Sequence, residues 1–136
     1  MATAAAECAT VAPMIASPSQ RGAASERLAA EYLEARGILV LARNLRCKSG
    51  EIDLVCLDAG VLAIVEVRQR AGMDFGGALG SVTPRKQGRI MRATRFFLQQ
   101  RPLWRCRAMR FDVVGVQGLP DGEHRILWIK GAFRAA

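Results

Sequence analysis

Residues 50–70 read GEIDLVCLDAGVLAIVEVRQR, and the fold turns on how this stretch is read. Two runs rich in β-branched residues, 51–57 and 61–69, flank Asp58-Ala59-Gly60, which is a hairpin signal. Yet Glu51, Asp53 and Glu66 interrupt the apolar pattern, and Arg68 follows the last acid. Carboxylates are seldom buried without a partner. Side chains alternate faces along a strand. Glu51, Asp53, Val55 and Leu57 therefore share a face of the first run, and Leu62, Ile64, Glu66 and Arg68 share a face of the second. A two-residue Ala59-Gly60 turn sets Asp58 opposite Val61. The same count sets Asp53 opposite Glu66, and Glu51 opposite Arg68, with Cβ atoms about 4.5–5.5 Å apart.

Like charges placed directly opposite one another destabilise a sheet. Either one acid takes a proton or a cation sits between the two. Two carboxylates plus waters suit Mg²⁺, a hard cation that keeps part of its hydration shell. Acids on a solvated face, or acids paired with nearby arginines, account for the same pattern. A slip of one residue in the turn would also separate the pair.

Working outward, residues 38–46 are strand-like and Cys47-Lys48-Ser49-Gly50 turns the chain. Upstream, good helix formers between Ser25, a candidate cap, and Gly37, a stop, place a helix at about 22–36. Downstream, Gly72, Gly76, Gly77 and Gly80 make a glycine-rich loop. Thr83-Pro84 then forms a cap-plus-first-turn pair for a helix reaching about Gln100. Strands at 108–117 and 124–130, joined by the turn residues LPDG, close the chain. The order α-β-β-β-α-β-β implies a mixed central sheet flanked by helices, an α/β fold on the border of α+β. Residues 1–20, rich in Ala, Ser and Pro, read as a loose tail before a single domain over 21–136.

Both helices carry charged residues toward their apolar sides. Glu26 falls near Ala29, Ala30 and Leu33 on a helical wheel. An acid favoured by the helix dipole in a first turn is the plain account of it. Lys86 heads a stripe with Ile90, Ala93 and Phe97, while Arg85, Arg89, Arg92 and Arg95 lie on another face. From 84 to 111 there are nine basic residues and no acid, which favours a phosphate-contacting surface over a merely solvated one.

The whole chain is also basic, with 20 Lys and Arg against 12 Asp and Glu, so a polyanionic partner is expected. The cysteines Cys8, Cys47, Cys56 and Cys106 form no CxxC pair, and Cys56 reads as a buried free thiol. No stretch approaches the roughly 20 apolar residues of a membrane span. These features point to a cytoplasmic protein. With His124 as the sole histidine, a histidine triad or zinc site is disfavoured. The glycines do not form a phosphate-binding GxxxxGK[ST] loop. Asp112 is expected to brace Arg110 or Arg43, and Trp104 and Trp128 serve equally as core or interface anchors.

A helix with a glutamate, then GEIDLV, VEVRQR, a helix bearing Lys86, and RFDVV resembles the YraN-like family of small bacterial proteins over about residues 21–117. That family resembles the restriction-endonuclease-like nuclease superfamily, with archaeal Holliday-junction resolvases near in motif layout. The resemblance implies a restriction-endonuclease-like fold and a metal site of Asp53 and Glu66, completed by Glu26. It also implies a lysine at the position of Arg68, which helps position or activate the attacking water. Here the motif reads EVR instead. Arginine effectively never loses its proton, so Arg68 is a poor base, though it can hold a phosphate or pair with Glu51. Lys86 is the natural replacement, and Lys48 a weaker one. The expectations are a Mg²⁺- or Mn²⁺-dependent endonuclease on structured DNA, a catalytically weakened binding module, or an interaction domain without nucleic acid. DNA is favoured over RNA, and a homodimer is left open.

Overall fold

The computed structural model describes residues 18–69, 76–105 and 107–134. The elements run α1 (Pro18–Glu34), β1 (Leu39–Cys47), β2 (Gly50–Asp58), β3 (Val61–Gln69), α2 (Gly76–Gly80), α3 (Pro84–Gln100), α4 (Pro102–Arg105), β4 (Met109–Gly118) and β5 (His124–Phe133). The strands form one sheet in sequence order, antiparallel except for the parallel β3–β4 pair that α3 connects. This is the expected α/β arrangement.

The β2–β3 hairpin carries the anticipated register. Asp58 pairs with Val61 and Val55 with Ile64, around Ala59 (φ 50°) and Gly60 (φ 89°). Two positive φ values in a two-residue loop match the right-handed twist of the strands, and glycine takes the second at no steric cost.

β3 is buried along most of its length because it is central, with helices on both faces. Leu54, Cys56, Ala63, Val65, Val114 and Val116 pack under Ala29, Ala30 and Leu33 of α1. Ile52, Val55, Leu62, Ile64 and Val113 pack under Ile90, Ala93 and Phe97 of α3. The stripe predicted for α3 is thus the buried one. Its start is also as expected, with Thr83 Oγ1 accepting from the Lys86 N–H at 3.2 Å and Pro84 in the first turn.

Three local expectations are corrected. α1 begins at Pro18, where proline's missing N–H costs nothing. Ser25 is therefore not a cap but an interior residue, buried against the core. Part of the glycine-rich loop, 76–80, is helical; its contacts with β3 and β4 override the weak propensity of glycine. Residues 1–17 of the expected tail lie outside the described residues, as do Gly72, Cys8 and Cys106.

Asp112 sits at a bulge between Phe111 and Val113, fully buried. It accepts from Arg110 Nε at 2.9 Å, Trp128 Nε1 at 2.9 Å and the Gly131 N–H at 3.0 Å. Arg110 continues to Asp58 at 2.6 Å, which holds the Asp58 carboxyl below the usual range. Of the two braces expected, Arg110 is realised. Arg43 instead meets Glu34 at 3.7 Å. Trp128 is a core anchor whose N–H finds a buried partner.

Candidate functional site

The hairpin pairing runs from Asp58–Val61 to Leu54–Val65 and stops one step short of Asp53 and Glu66. On the other side, Arg43–Leu54 and Leu45–Ile52 bracket Asn44 and Asp53 without pairing them. Asn44 has a left-handed φ of 53°, a conformation asparagine tolerates better than most residues. Asp53 thus lies where both ladders lapse. Its side chain fills the gap, with Oδ2 accepting the Val67 N–H at 2.9 Å. A backbone donor from β3 fixes the carboxylate's orientation.

Glu66 projects from β3 toward α3 and is only 4% exposed. Its Oε2 receives two cations, Lys86 Nζ and Arg68 Nη1, each at 3.3 Å. Arg68 Nε also donates to Ser81 Oγ at 2.8 Å, which pins the guanidinium plane. Even so, the Glu66 carboxyl is pushed up to about 7, first by burial and then by the charge of Asp53; Lys86 and Arg68 offset this in part.

Glu26 approaches from α1 on the opposite face. Its carboxyl is also raised to about 7, by burial, then by the charge of Asp53 and a hydrogen bond shared with it, while a hydrogen bond from Asn44 pulls the other way. Asp53 is therefore the acid that both other carboxyls face, and the three come from one helix, α1, and two strands, β2 and β3. Glu26 and Glu66, each facing Asp53, both have raised affinity for protons, so the site is short of positive charge despite Lys86 and Arg68.

The donor set is hard oxygen, which fits Mg²⁺ or Mn²⁺. Among the described residues, no three Asp, Glu, His or Cys side chains stand in ready-made metal-holding geometry. A Mg²⁺ site needs no such cage, because one or two carboxylates with waters suffice. Asp53 and Glu66 fit that requirement, with Glu26 reaching them through Asp53.

One expectation about this site changes. Glu51 does not face Arg68. It is exposed and paired with its β1 neighbour Arg46 at 3.7 Å, while Arg68 turns to Glu66 and Ser81. The cause is the lapse of the β2–β3 ladder before Asp53. Lys86, in contrast, reaches Glu66 as its place at the head of the buried stripe implies. Lys48 is exposed in the β1–β2 turn.

Asn44 and Ser81 were not singled out from sequence. Asn44 left a trace, since asparagine is disfavoured inside a strand-like run such as 38–46. Ser81 left none, because its place depends on the path of the chain after β3. Arg85, Arg89, Arg92 and Arg95 are exposed along α3, as the wheel requires.

A cavity of about 260 Å³ opens beside Glu26, lined also by Gly22, Ala23, Asn44 and Arg46. Among the described residues, no helix is long and apolar enough to cross a membrane.

The model of the uncharacterised protein family UPF0102 matches residues 25–116, which spans every residue of the cluster. A UPF0102 protein of Pseudomonas entomophila is 50% identical over 118 residues, covering 87% of this chain and 96% of the relative. One from Pseudomonas putida strain GB-1 is 49% identical with the same coverage. One from Halorhodospira halophila is 44% identical over 117 residues, covering 86% and 89%. The chain belongs to the UPF0102 family, the YraN-like family that its motifs resemble.

Proposed function

We propose that this protein is a Mg²⁺- or Mn²⁺-dependent endonuclease that hydrolyses phosphodiesters of structured or branched DNA. The observation that carries the reading is the convergence of Glu26, Asp53 and Glu66 with Lys86 and Arg68 where the hairpin ladders lapse. Asp53 and Glu66 would hold the cation, with Glu26 behind them. Bound there, the ion supplies Lewis acidity toward a phosphoryl oxygen and the attacking water.

The chain's own groups do the remaining work. The Val67 N–H holds Asp53 in one orientation. Arg68, with Nε on Ser81 and Nη1 on Glu66, would meet a phosphate oxygen through its remaining donors. Lys86, half-buried with Nζ 3.3 Å from Glu66 Oε2, is a second cation placed to meet a phosphate oxygen. The raised pKa values of Glu26 and Glu66 keep part of the cluster protonated near neutrality, so each proton competes with the metal.

Purified protein with Mg²⁺ or Mn²⁺ on junction and flap DNA tests this. Wild type is expected to cleave, with loss of at least about a hundredfold in Asp53→Ala and Glu66→Ala. Equal cleavage by wild type and variants would identify a contaminant and defeat the reading.

A second reading rests on Arg68 itself, an arginine already committed to Glu66 and Ser81. In it the protein binds nucleic acid on the same surface with weakened chemistry. Cleavage gained in Arg68→Lys over a silent wild type supports it, and robust wild-type cleavage ends it.

A further inference from the structure

The face of α3 that carries Arg85, Arg89 and Arg92 continues to Phe96 at four-three-four spacing. Phe96 is 41% exposed, although its neighbour Phe97 is buried. The two rings stand in an edge contact, with centroids 5.2 Å apart and planes at 81°, so the buried ring steadies the exposed one. Phe96 borders a cavity of about 480 Å³ whose other walls are Arg46, Cys47, Lys48 and Ser49 of the β1–β2 turn.

Arg46 also lines the smaller cavity beside Glu26 and Asn44. One side chain thus lines both the cavity at Glu26 and the Phe96 cavity. It is 75% exposed and only loosely engaged with Glu51 at 3.7 Å, which leaves its guanidinium able to meet a phosphate. The turn comes so near the helix at Gly50 that a Cβ there would meet the Arg89 carbonyl.

An apolar ring among cations, with no acid among the described residues that line the cavity, suits a partner that combines anionic backbone with flat apolar faces. We infer that Phe96 is a stacking platform for an unpaired nucleobase, on a strand that leaves the carboxylate cluster past Arg46 and is flanked by Lys48, Arg89 and Arg92. Aromatic stacking with a basic track is how single strands are held without sequence readout. A paired base lies inside its stack and cannot offer its face. The platform therefore gives the protein a preference for substrates with single-stranded segments. This deepens the proposed function and rests on its nucleic-acid contact, but not on cleavage.

The test uses the full chain without divalent metal, in low salt. It measures affinity for a single-stranded oligonucleotide and for a blunt duplex of equal length. A 2-aminopurine version of the single strand reports stacking by quenching. Phe96→Ala is expected to weaken single-strand binding about fivefold or more. It should also remove the quenching and leave duplex binding within about twofold. Phe96→Trp should restore both, which separates stacking from a folding defect. Arg89→Gln with Arg92→Gln should weaken both ligands together. If Phe96→Ala changes both ligands equally, or neither, the platform is overturned while the arginine result still supports nucleic-acid binding. If wild type binds neither oligonucleotide, both inferences fall. If Phe96→Ala instead breaks a concentration-dependent dimer and leaves binding intact, the ring is a protein contact and the platform is overturned.

Discussion

Glu66 is held where its charge is unwelcome. Burial and Asp53 raise its pKa from 4.5 to about 7, and two cations only partly compensate. Between those pH values the folded state binds a proton that the unfolded chain has released. Stability is therefore greatest below about 4.5 and is lost as pH rises through 7. Glu66→Gln removes that loss. Without divalent metal, this variant is expected to be more stable than wild type at pH 8, on the order of 2 kcal/mol, with the gain shrinking toward pH 5. Denaturant unfolding at both pH values checks it, and a variant less stable at pH 8 would contradict the electrostatics. Lys86 acts on the same carboxyl by lowering its pKa. Lys86→Ala should accordingly shift the acid limb of the pH–rate profile of kcat/KM upward as well as slow cleavage. A profile that only falls in height would leave Lys86 without influence on Glu66. The acids, the lysine and the problem of Arg68 were legible in the sequence, because charged residues inside apolar runs stand out. The partner of Arg68 was not. Counting along an ideal ladder gave Glu51, but the ladder ends before Asp53, and a register rule does not contain the point at which pairing stops.

At the scale of elements, the site depends on how the β1–β2 turn seats against α3. A Cβ on Gly50 would collide with the backbone carbonyl of Arg89. Backbone on both sides cannot yield by a rotamer change, so Gly50→Ala is expected to cost about 1–3 kcal/mol, read as a lowered denaturation midpoint. No loss would mean that the turn is free to shift. A similar dependence holds at the far end of the hairpin. Asp112 serves Arg110, Trp128 and the Gly131 N–H at once. Asp112→Ala leaves those donors unmatched and should destabilise by about 3–5 kcal/mol, whereas Asp112→Asn should cost less. Strand and helix order followed from periodicity, caps and the hairpin turn. The start of α1 at Pro18 and the short helix α2 did not, since both depend on packing against distant elements. The Asp112 bulge was half legible: its arginine was foreseen, while Trp128 and Gly131 lie on a strand that local patterns could not align with it.

At the scale of the whole molecule, α3 carries five cations and no acid, while Asp53 faces two further acids, Glu26 and Glu66. Arg85, Arg89, Arg92 and Arg95 are exposed on a helix whose opposite stripe fills the core. Binding to DNA should weaken linearly with the logarithm of salt concentration, and each lost phosphate contact should reduce the slope by about 0.9. Replacing Arg89 and Arg92 together with Gln is expected to lower the slope by up to about 2; an unchanged slope would place the contact surface elsewhere. On the proposed reading, the basic track would bring the backbone of a nucleic acid to the end of the sheet that carries Asp53 and Glu66. Whether those acids share a cation is the claim on which the enzymatic reading stands. Calorimetric titration of the metal-free protein with Mn²⁺ at pH 8 measures it directly. The account predicts one site per chain in wild type, lost in Asp53→Asn and in Glu66→Gln. Wild type without a site, or a site that survives both substitutions, would contradict it.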